Sequence, residues 1–213
     1  MGLRADDDGA ARARWVRCAA MVLAGLIGAG AGHADEPPPP AAGVDYRAVY
    51  LQGPDRRKVE IRKHEASYLH RLPDAAVRAE IHYDPQTKVA TIFEGDEVLR
   101  LRVAPGQIGG FDARAMMSGL SDTEVNWQAG ETRRIAGAQC RVHLATGQAG
   151  GRAITGRFCV TPEGILLAIE TGGPGRIGQA LVAETLEIAP QPPEAFDMSP
   201  YAGIEITGVD AIR

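Results

Sequence analysis

The sequence lacks the features that mark integral membrane proteins and nucleic-acid-binding proteins. No apolar run reaches the roughly 20 residues that a transmembrane helix needs, since residues 18–32 supply only about fifteen. The net charge is only −4, and the basic residues are dispersed rather than clustered. Such a sequence has no cluster of basic residues to bind a phosphate backbone. We therefore expect no nucleic acid as a partner and no integral membrane span after residue 34.

The sequence also lacks the short motifs of common enzymes. It contains no G-x-S-x-G elbow, no H-E-x-x-H, no phosphate-binding loop and no G-x-G-x-x-G after a strand. The histidines after residue 34 have no metal-ligand spacing, and scattered surface positions explain them better. They are His64, His70, His82 and His143. We predict no catalytic residues, no metal site and no cofactor, and keep a small envelope enzyme as a third hypothesis only.

Cysteine is scarce, and its placement is informative. The chain has three cysteines: Cys18 near the start, and Cys140 and Cys159 on two strand-like runs joined by a Gly-rich stretch. Directly opposed cysteines would place the hairpin turn between Ala149 and Gly150. We predict a structural disulfide, which closes a loop of about twenty residues and contributes on the order of 3 kcal/mol. Two free buried thiols and a catalytic redox pair are the alternatives, but a redox pair normally has C-x-x-C spacing at a helix start.

Residues 1–34 have the three parts of a secretory signal peptide. A basic segment contains four arginines, the apolar residues 18–32 follow, and Gly32 and Ala34 supply the small residues before a cut. We predict cleavage after Ala34 and a periplasmic location, where disulfides persist. An uncleaved anchor is the alternative. Cleavage would also remove Cys18 and leave an even pair.

The mature chain divides into a short linker and one domain. Residues 35–43 read DEPPPPAAG, and four consecutive prolines favour an extended spacer. Residues 44–209 are predicted to form a single β-rich domain, with 210–213 as a C-terminal tail.

Hydrophobicity along this domain has a period of two, which is typical of half-buried strands. Leu99, Leu101 and Val103 alternate with Arg100 and Arg102, and turn compositions separate the runs. We expect about nine antiparallel strands, with an edge strand at residues 203–209.

One stretch breaks the period and predicts a short helix. Asp112 stands in N-cap position before Ala113, Ala115, Met116 and Met117. The two methionines are weak candidates for the lining of an apolar ligand site. Ordinary core filling is the alternative.

Three stretches resemble a family of exported proteobacterial proteins. They are IAGAQC at residues 135–140, FCVTPEGILL at residues 158–167, and PPEAF with SPY in the tail at residues 192–196 and 199–201. Such proteins are similar to the half-barrel superfamily of periplasmic lipoprotein carriers (LolA-like) and sigma regulators (RseB-like). The resemblance implies an α+β fold, a single strongly curved antiparallel sheet with one or two short helices on its concave side. In the carriers that concave face holds acyl chains, whereas this chain has only 5% aromatic residues and one short helix to build such a lining.

Two function hypotheses follow. The first is a non-enzymatic periplasmic binding protein that holds a lipid, a lipoprotein acyl chain or another hydrophobic ligand on the concave face. The second is an envelope protein–protein interaction module with a filled core and no small-molecule ligand.

Overall fold

The computed structural model describes residues 36–84, 86–103, 112–121, 123–173 and 176–207. The predicted signal peptide at residues 1–34 and the predicted tail at residues 210–213 lie outside these residues. Among the described residues, no helix is both long and apolar enough to cross a bilayer.

Twelve strands, one α-helix and two 3-10 helices make up the described chain. The strands are β1 (Tyr46–Gln52), β2 (Arg57–His64), β3 (Ser67–Arg71), β4 (Ala79–Asp84), β5 (Val89–Glu94), β6 (Glu97–Arg102), β7 (Asn126–Ile135), β8 (Ala138–Ala149), β9 (Arg152–Val160), β10 (Leu166–Gly173), β11 (Arg176–Glu187) and β12 (Ile206–Thr207). The α-helix is α1 (Ala113–Leu120), and the 3-10 helices are Pro193–Phe196 and Ser199–Tyr201.

All twelve strands belong to one sheet, in the order β12-β6-β5-β4-β3-β2-β1-β11-β10-β9-β8-β7. Two meanders, β1 to β6 and β7 to β11, join where β11 pairs with β1. Every pairing is antiparallel except that of β12 with β6. The predicted fold class, a curved antiparallel α+β sheet, is confirmed. Two of the twelve strands, β1 and β3, were not indicated by the sequence.

Bulges bend one half of this sheet. Register shifts interrupt the pairing of β1 with β11, β10 with β11, β9 with β10, and β7 with β8. Each bulge bends its strand and increases the local twist. In contrast, the ladders from β1 to β6 run without a shift.

The core lies on the face that α1 covers. Tyr46, Ala48 and Tyr50 alternate along β1 and are fully buried, and Met117 of α1 packs into the same core. The predicted N-cap of α1 is present, since the backbone N–H of Arg114 donates to the carboxylate of Asp112 at 2.8 Å. This contact satisfies one of the N–H groups that a helix start leaves unpaired.

The predicted disulfide joins Cys140 and Cys159, whose Cα atoms are 5.4 Å apart. The predicted register is wrong, however. Cys159 lies opposite Val142, and the β8–β9 turn is centred between Gly150 and Gly151. Both glycines have positive φ angles, as a tight two-residue hairpin turn requires. This turn shifts the register by one residue on each strand, so the two cysteines meet diagonally.

The proline-rich segment, predicted to be a linker, is packed on the domain in the structure. The N–H of Glu36 donates to the carbonyl of Trp127 at 3.1 Å, and the N–H of Gly43 donates to the carbonyl of Glu163 at 3.0 Å. Gly164 approaches the backbone of Ala41 so closely that a Cβ would not fit there. These contacts attach residues 36–43 to the strands of the second meander.

The C-terminal segment, residues 190–204, crosses the first meander before β12 joins the sheet. The ring of Phe196 contacts His64 at a centroid distance of 5.5 Å, and the ring of Tyr201 contacts Phe93 at 4.8 Å. Arg100 of β6 donates to the carbonyls of Tyr201, Ala202 and Ile204 at 3.0–3.3 Å. The short β12 confirms the predicted edge strand for the part that the structure describes.

Candidate ligand groove

A cross-strand row of apolar side chains runs over the first meander. Ile61 of β2 lies opposite His70 of β3, His70 opposite Ile81 of β4, Ile81 opposite Ile92 of β5, and Ile92 opposite Leu99 of β6. Because paired residues in an antiparallel ladder project from the same face, these five side chains share one side of the sheet. The row is apolar except for one imidazole.

A cavity of about 580 Å³ lies along this row. Its floor is formed by the buried side chains of Val59 and Leu181, and His70, Ile81 and Ile92 also line it. Its exposed lining residues, which form the mouth, are Gln52, Arg71, Leu72, Ala75, Val77 and Glu94. The volume lies within the roughly 300–1,000 Å³ that is usual for small-molecule sites. We call this cavity the groove.

The loop between β3 and β4 forms one wall of the mouth. It carries two exposed apolar side chains, Leu72 at 45% and Val77 at 58% exposure. Backbone hydrogen bonds hold both of its ends: the N–H of Leu72 donates to the carbonyl of Ala79 at 3.0 Å, and the N–H of Gly95 donates to the carbonyl of Arg78 at 2.8 Å. The loop therefore keeps two apolar side chains in water at the entrance of an apolar cavity.

Four ionisable residues border the groove: His70 and Glu94 on the face of the apolar row, and Arg71 and Glu80, which project from the opposite face. Burial lowers the pKa of His70 to about 4, so its imidazole is neutral at pH 7. Burial acts to raise the pKa of Glu80, but hydrogen bonds and charge from Arg78 and His82 outweigh it and lower that pKa overall. Glu80 is therefore ionised at neutral pH.

The charge of Glu80 is matched by arginines at its side. Arg78 contacts its carboxylate at 2.9 Å, and Arg71 lies 3.5 Å from it. Arg78 also stacks over the ring of Phe93, 3.6 Å from the centroid. These contacts orient both guanidinium groups toward the protein.

The two methionines proposed from the sequence do not line the groove. Met117 is 1% exposed and belongs to the core under α1, and Met116 is partly buried against the same core. Gly156 makes room for the helix, because a Cβ there would lie 3.1 Å from the sulfur of Met117. The position of Met117 matches the core-filling alternative, and a ligand role for either methionine stays a prediction.

The histidines differ from the surface positions predicted for them. His82 and His143 are buried, and burial lowers the pKa of both, although a neighbouring carboxylate opposes the shift in each case. Only His70 lines the groove. Among the described residues, no three His, Cys, Asp or Glu side chains are grouped as metal ligands.

Sequence reasoning identified β2, β4 and β5 of the groove, but neither β1 and β3 nor the groove itself. Val59 and Ile61 alternate with charged residues, and so do Val77, Ala79 and Ile81. This pattern predicted one apolar face on each strand. The missing information was the register, which decides which apolar residues lie side by side. The exposed Leu72 and Val77, two apolar residues in a loop rich in turn residues, were the available signal.

Solved structures of other proteins are similar in fold to this chain. A chain of the Pseudomonas aeruginosa MucA/MucB complex matches over 73% of this chain at 16% identity, with a TM-score of 0.51. The crystal structure of MucB matches over 73% at 14% identity, with a TM-score of 0.52.

The chain is similar in fold to MucB. It spans little more than half of the chains it matches, 56% and 57% of their lengths. At these identities the likeness concerns the fold alone. No protein-family model and no curated protein sequence matches the chain.

Proposed function

We propose that this protein is a non-enzymatic binding module of the bacterial periplasm and that its groove holds a hydrophobic ligand. The observation that carries the proposal is the 580 Å³ cavity with its floor of buried apolar side chains. Transfer of a ligand from water to such a floor yields about 0.8 kcal/mol for each buried CH₂ group. A single acyl chain or a compact apolar molecule suits this lining.

A fluorescence titration tests the proposal. N-phenyl-1-naphthylamine, a neutral dye that brightens in apolar surroundings, should bind the purified protein with saturable fluorescence. Val77→Glu introduces a charge at the mouth, on a side chain that is 58% exposed, so folding should be preserved while dye binding weakens at least tenfold.

Leu99→Glu is the matched control for this titration. Leu99 lies on the same face, is 42% exposed and does not line the groove. Equal weakening in both variants, or no saturable binding by the wild type, would contradict the proposal.

Export is part of the proposal. The supporting features are the basic, apolar and small-residue segments of residues 1–34 and the disulfide between Cys140 and Cys159. The intact mass of protein recovered from the periplasm of a Gram-negative host should begin at Asp35. A mass that retains residues 1–34 would instead indicate an uncleaved anchor.

A second candidate function is recognition of an envelope protein. It is supported by the fold likeness to a chain solved in the MucA/MucB complex. A photo-crosslinking amino acid at position 77, in the groove mouth, or at position 134, on β7 at the sheet edge, tests this candidate in exported protein. One defined partner from a single position favours protein recognition, whereas the absence of crosslinks from both argues against it at these surfaces.

A further inference from the structure

The charges that line the groove do not cancel. Arg71 and Glu80 are paired next to the pair of His70 and Ile81, so their side chains project from the opposite face of the sheet, whereas Glu94, two residues after Ile92, lies on the groove face. His70, on the groove face, is neutral at pH 7 because burial lowers its pKa to about 4.

The positive charge of Arg71 is already engaged. Its guanidinium lies 3.5 Å from the carboxylate of Glu80, which also receives Arg78 at 2.9 Å. A ligand anion would have to compete with Glu80 for these groups. The pair therefore offers little attraction to a negatively charged head group.

The carboxylate of Glu94 has no positively charged partner among the residues that the structure describes. It is exposed at the mouth, and it has no salt bridge with any residue that the structure describes. It ends β5 and lies directly opposite Glu97, the first residue of β6. Like charges in directly opposed positions repel each other, and Asp96 in the turn between them adds a third carboxylate.

We propose that the groove prefers a single-chain amphiphile with a cationic head group, whose alkyl chain lies over Ile81 and Ile92 while Glu94 binds the head group. This inference rests on the proposed function. The geometry is complementary at both ends, because the floor is apolar and the mouth carries one unmatched negative charge. A cationic head group would also relieve the repulsion between Glu94 and Glu97, whereas an anionic head group would add to it.

The expected preference is modest because Glu94 is exposed to solvent. Exposed ion pairs contribute about 1 kcal/mol or less, which corresponds to a factor of about five in affinity. The preference should decrease with salt, because screening weakens exposed charge pairs.

Three matched amphiphiles test the inference: dodecylamine, dodecanoate and dodecanol. Each displaces N-phenyl-1-naphthylamine from the purified wild-type protein below its critical micelle concentration, at pH 7.5 and low salt. Dodecylamine should bind about fivefold more tightly than dodecanoate, with dodecanol between them. In Glu94→Gln this difference should largely disappear.

Glu163→Gln is the control variant. Glu163 is an exposed carboxylate in the turn between β9 and β10 and does not line the groove. Its variant should keep the full preference for dodecylamine.

The outcomes separate this inference from the function on which it rests. Equal or tighter binding of dodecanoate by the wild type overturns the charge preference while leaving a hydrophobic groove. A preference that persists in Glu94→Gln overturns the role of Glu94. If none of the three amphiphiles displaces the dye, the proposed function itself fails.

Discussion

His70 of β3 lies directly opposite Ile81 of β4, which places an imidazole in an otherwise apolar row beside the groove. Burial lowers the pKa of this imidazole to about 4. The unfolded chain has an ordinary histidine pKa near 6.5. The unfolded state therefore binds more protons than the native state at every pH between these values.

The free energy of unfolding should consequently fall as the pH drops from 7 to 4.5. Between these limits His70 should account for about 2 kcal/mol of the loss, because stability rises with pH wherever the unfolded state binds more protons. His82 and His143 act in the same direction, since their pKa values are also lowered. Urea unfolding of wild type and His70→Leu at both pH values measures the difference. An unchanged pH dependence in His70→Leu would show that burial does not keep this residue neutral.

The disulfide should stabilise the fold. Replacement of Cys140 and Cys159 together by Ala should lower the free energy of unfolding by about 3 kcal/mol, because the bridge constrains the unfolded chain over a separation of 19 residues. Urea unfolding of the oxidised protein and the double variant measures this loss. Quantitative alkylation of both thiols in native, unreduced protein would refute the bridge.

Gly156 should tolerate no larger side chain. A Cβ at this position would lie 2.6 Å from the ring of Phe158 and 3.1 Å from the sulfur of Met117, so Gly156→Ala should cost about 1–3 kcal/mol. Gly43→Ala is the control, since a Cβ at that position would meet no atom within 4 Å. Thermal unfolding compares the two. Equal thermal unfolding midpoints would show that the core under α1 can accommodate an additional methyl group.

Arg100 should hold the C-terminal segment on the sheet. Its guanidinium donates to three carbonyls at 3.0–3.3 Å, those of Tyr201, Ala202 and Ile204. Arg100→Met should therefore speed amide hydrogen exchange in residues 199–204 by about tenfold, as expected for the loss of charge-assisted hydrogen bonds. Arg102→Met, an exposed change on the same strand, is the control. Similar exchange in both variants would assign the attachment to Tyr201 and Phe93 instead.

Local patterns were sufficient for most of the strands and for the helix. The alternation of Leu99, Leu101 and Val103 with Arg100 and Arg102 identifies β6, because side chains on a strand point to opposite faces in turn. Asp112 identifies the start of α1, because an N-cap depends only on neighbours in sequence. β3 was missed because its adjacent Tyr68 and Leu69 are both buried, so its hydrophobicity does not alternate.

The prediction of the disulfide had the correct partners but the wrong register. The composition of the Gly-rich stretch indicates a turn somewhere between residues 146 and 151, but several positions for it are compatible with the sequence. The positive φ angles of Gly150 and Gly151 select one of them. The pairing of Cys159 with Val142 follows from that turn.

The sequence by itself determined the fold class, a β-rich domain with one disulfide and one short helix. It could do so because hydrophobic periodicity and helix caps depend on residues close together in the sequence. Only the tertiary structure decided where the groove lies, because β2 to β5 bring Val59, His70, Ile81 and Ile92 together through strand pairing. The tertiary structure also decided which carboxylate at the groove lacks a positively charged partner. Glu80 and Glu94 are equivalent carboxylates in the sequence, but Glu80 pairs with Arg71 and Arg78 on the opposite face, whereas Glu94 lies on the groove face and has no salt bridge with any residue that the structure describes.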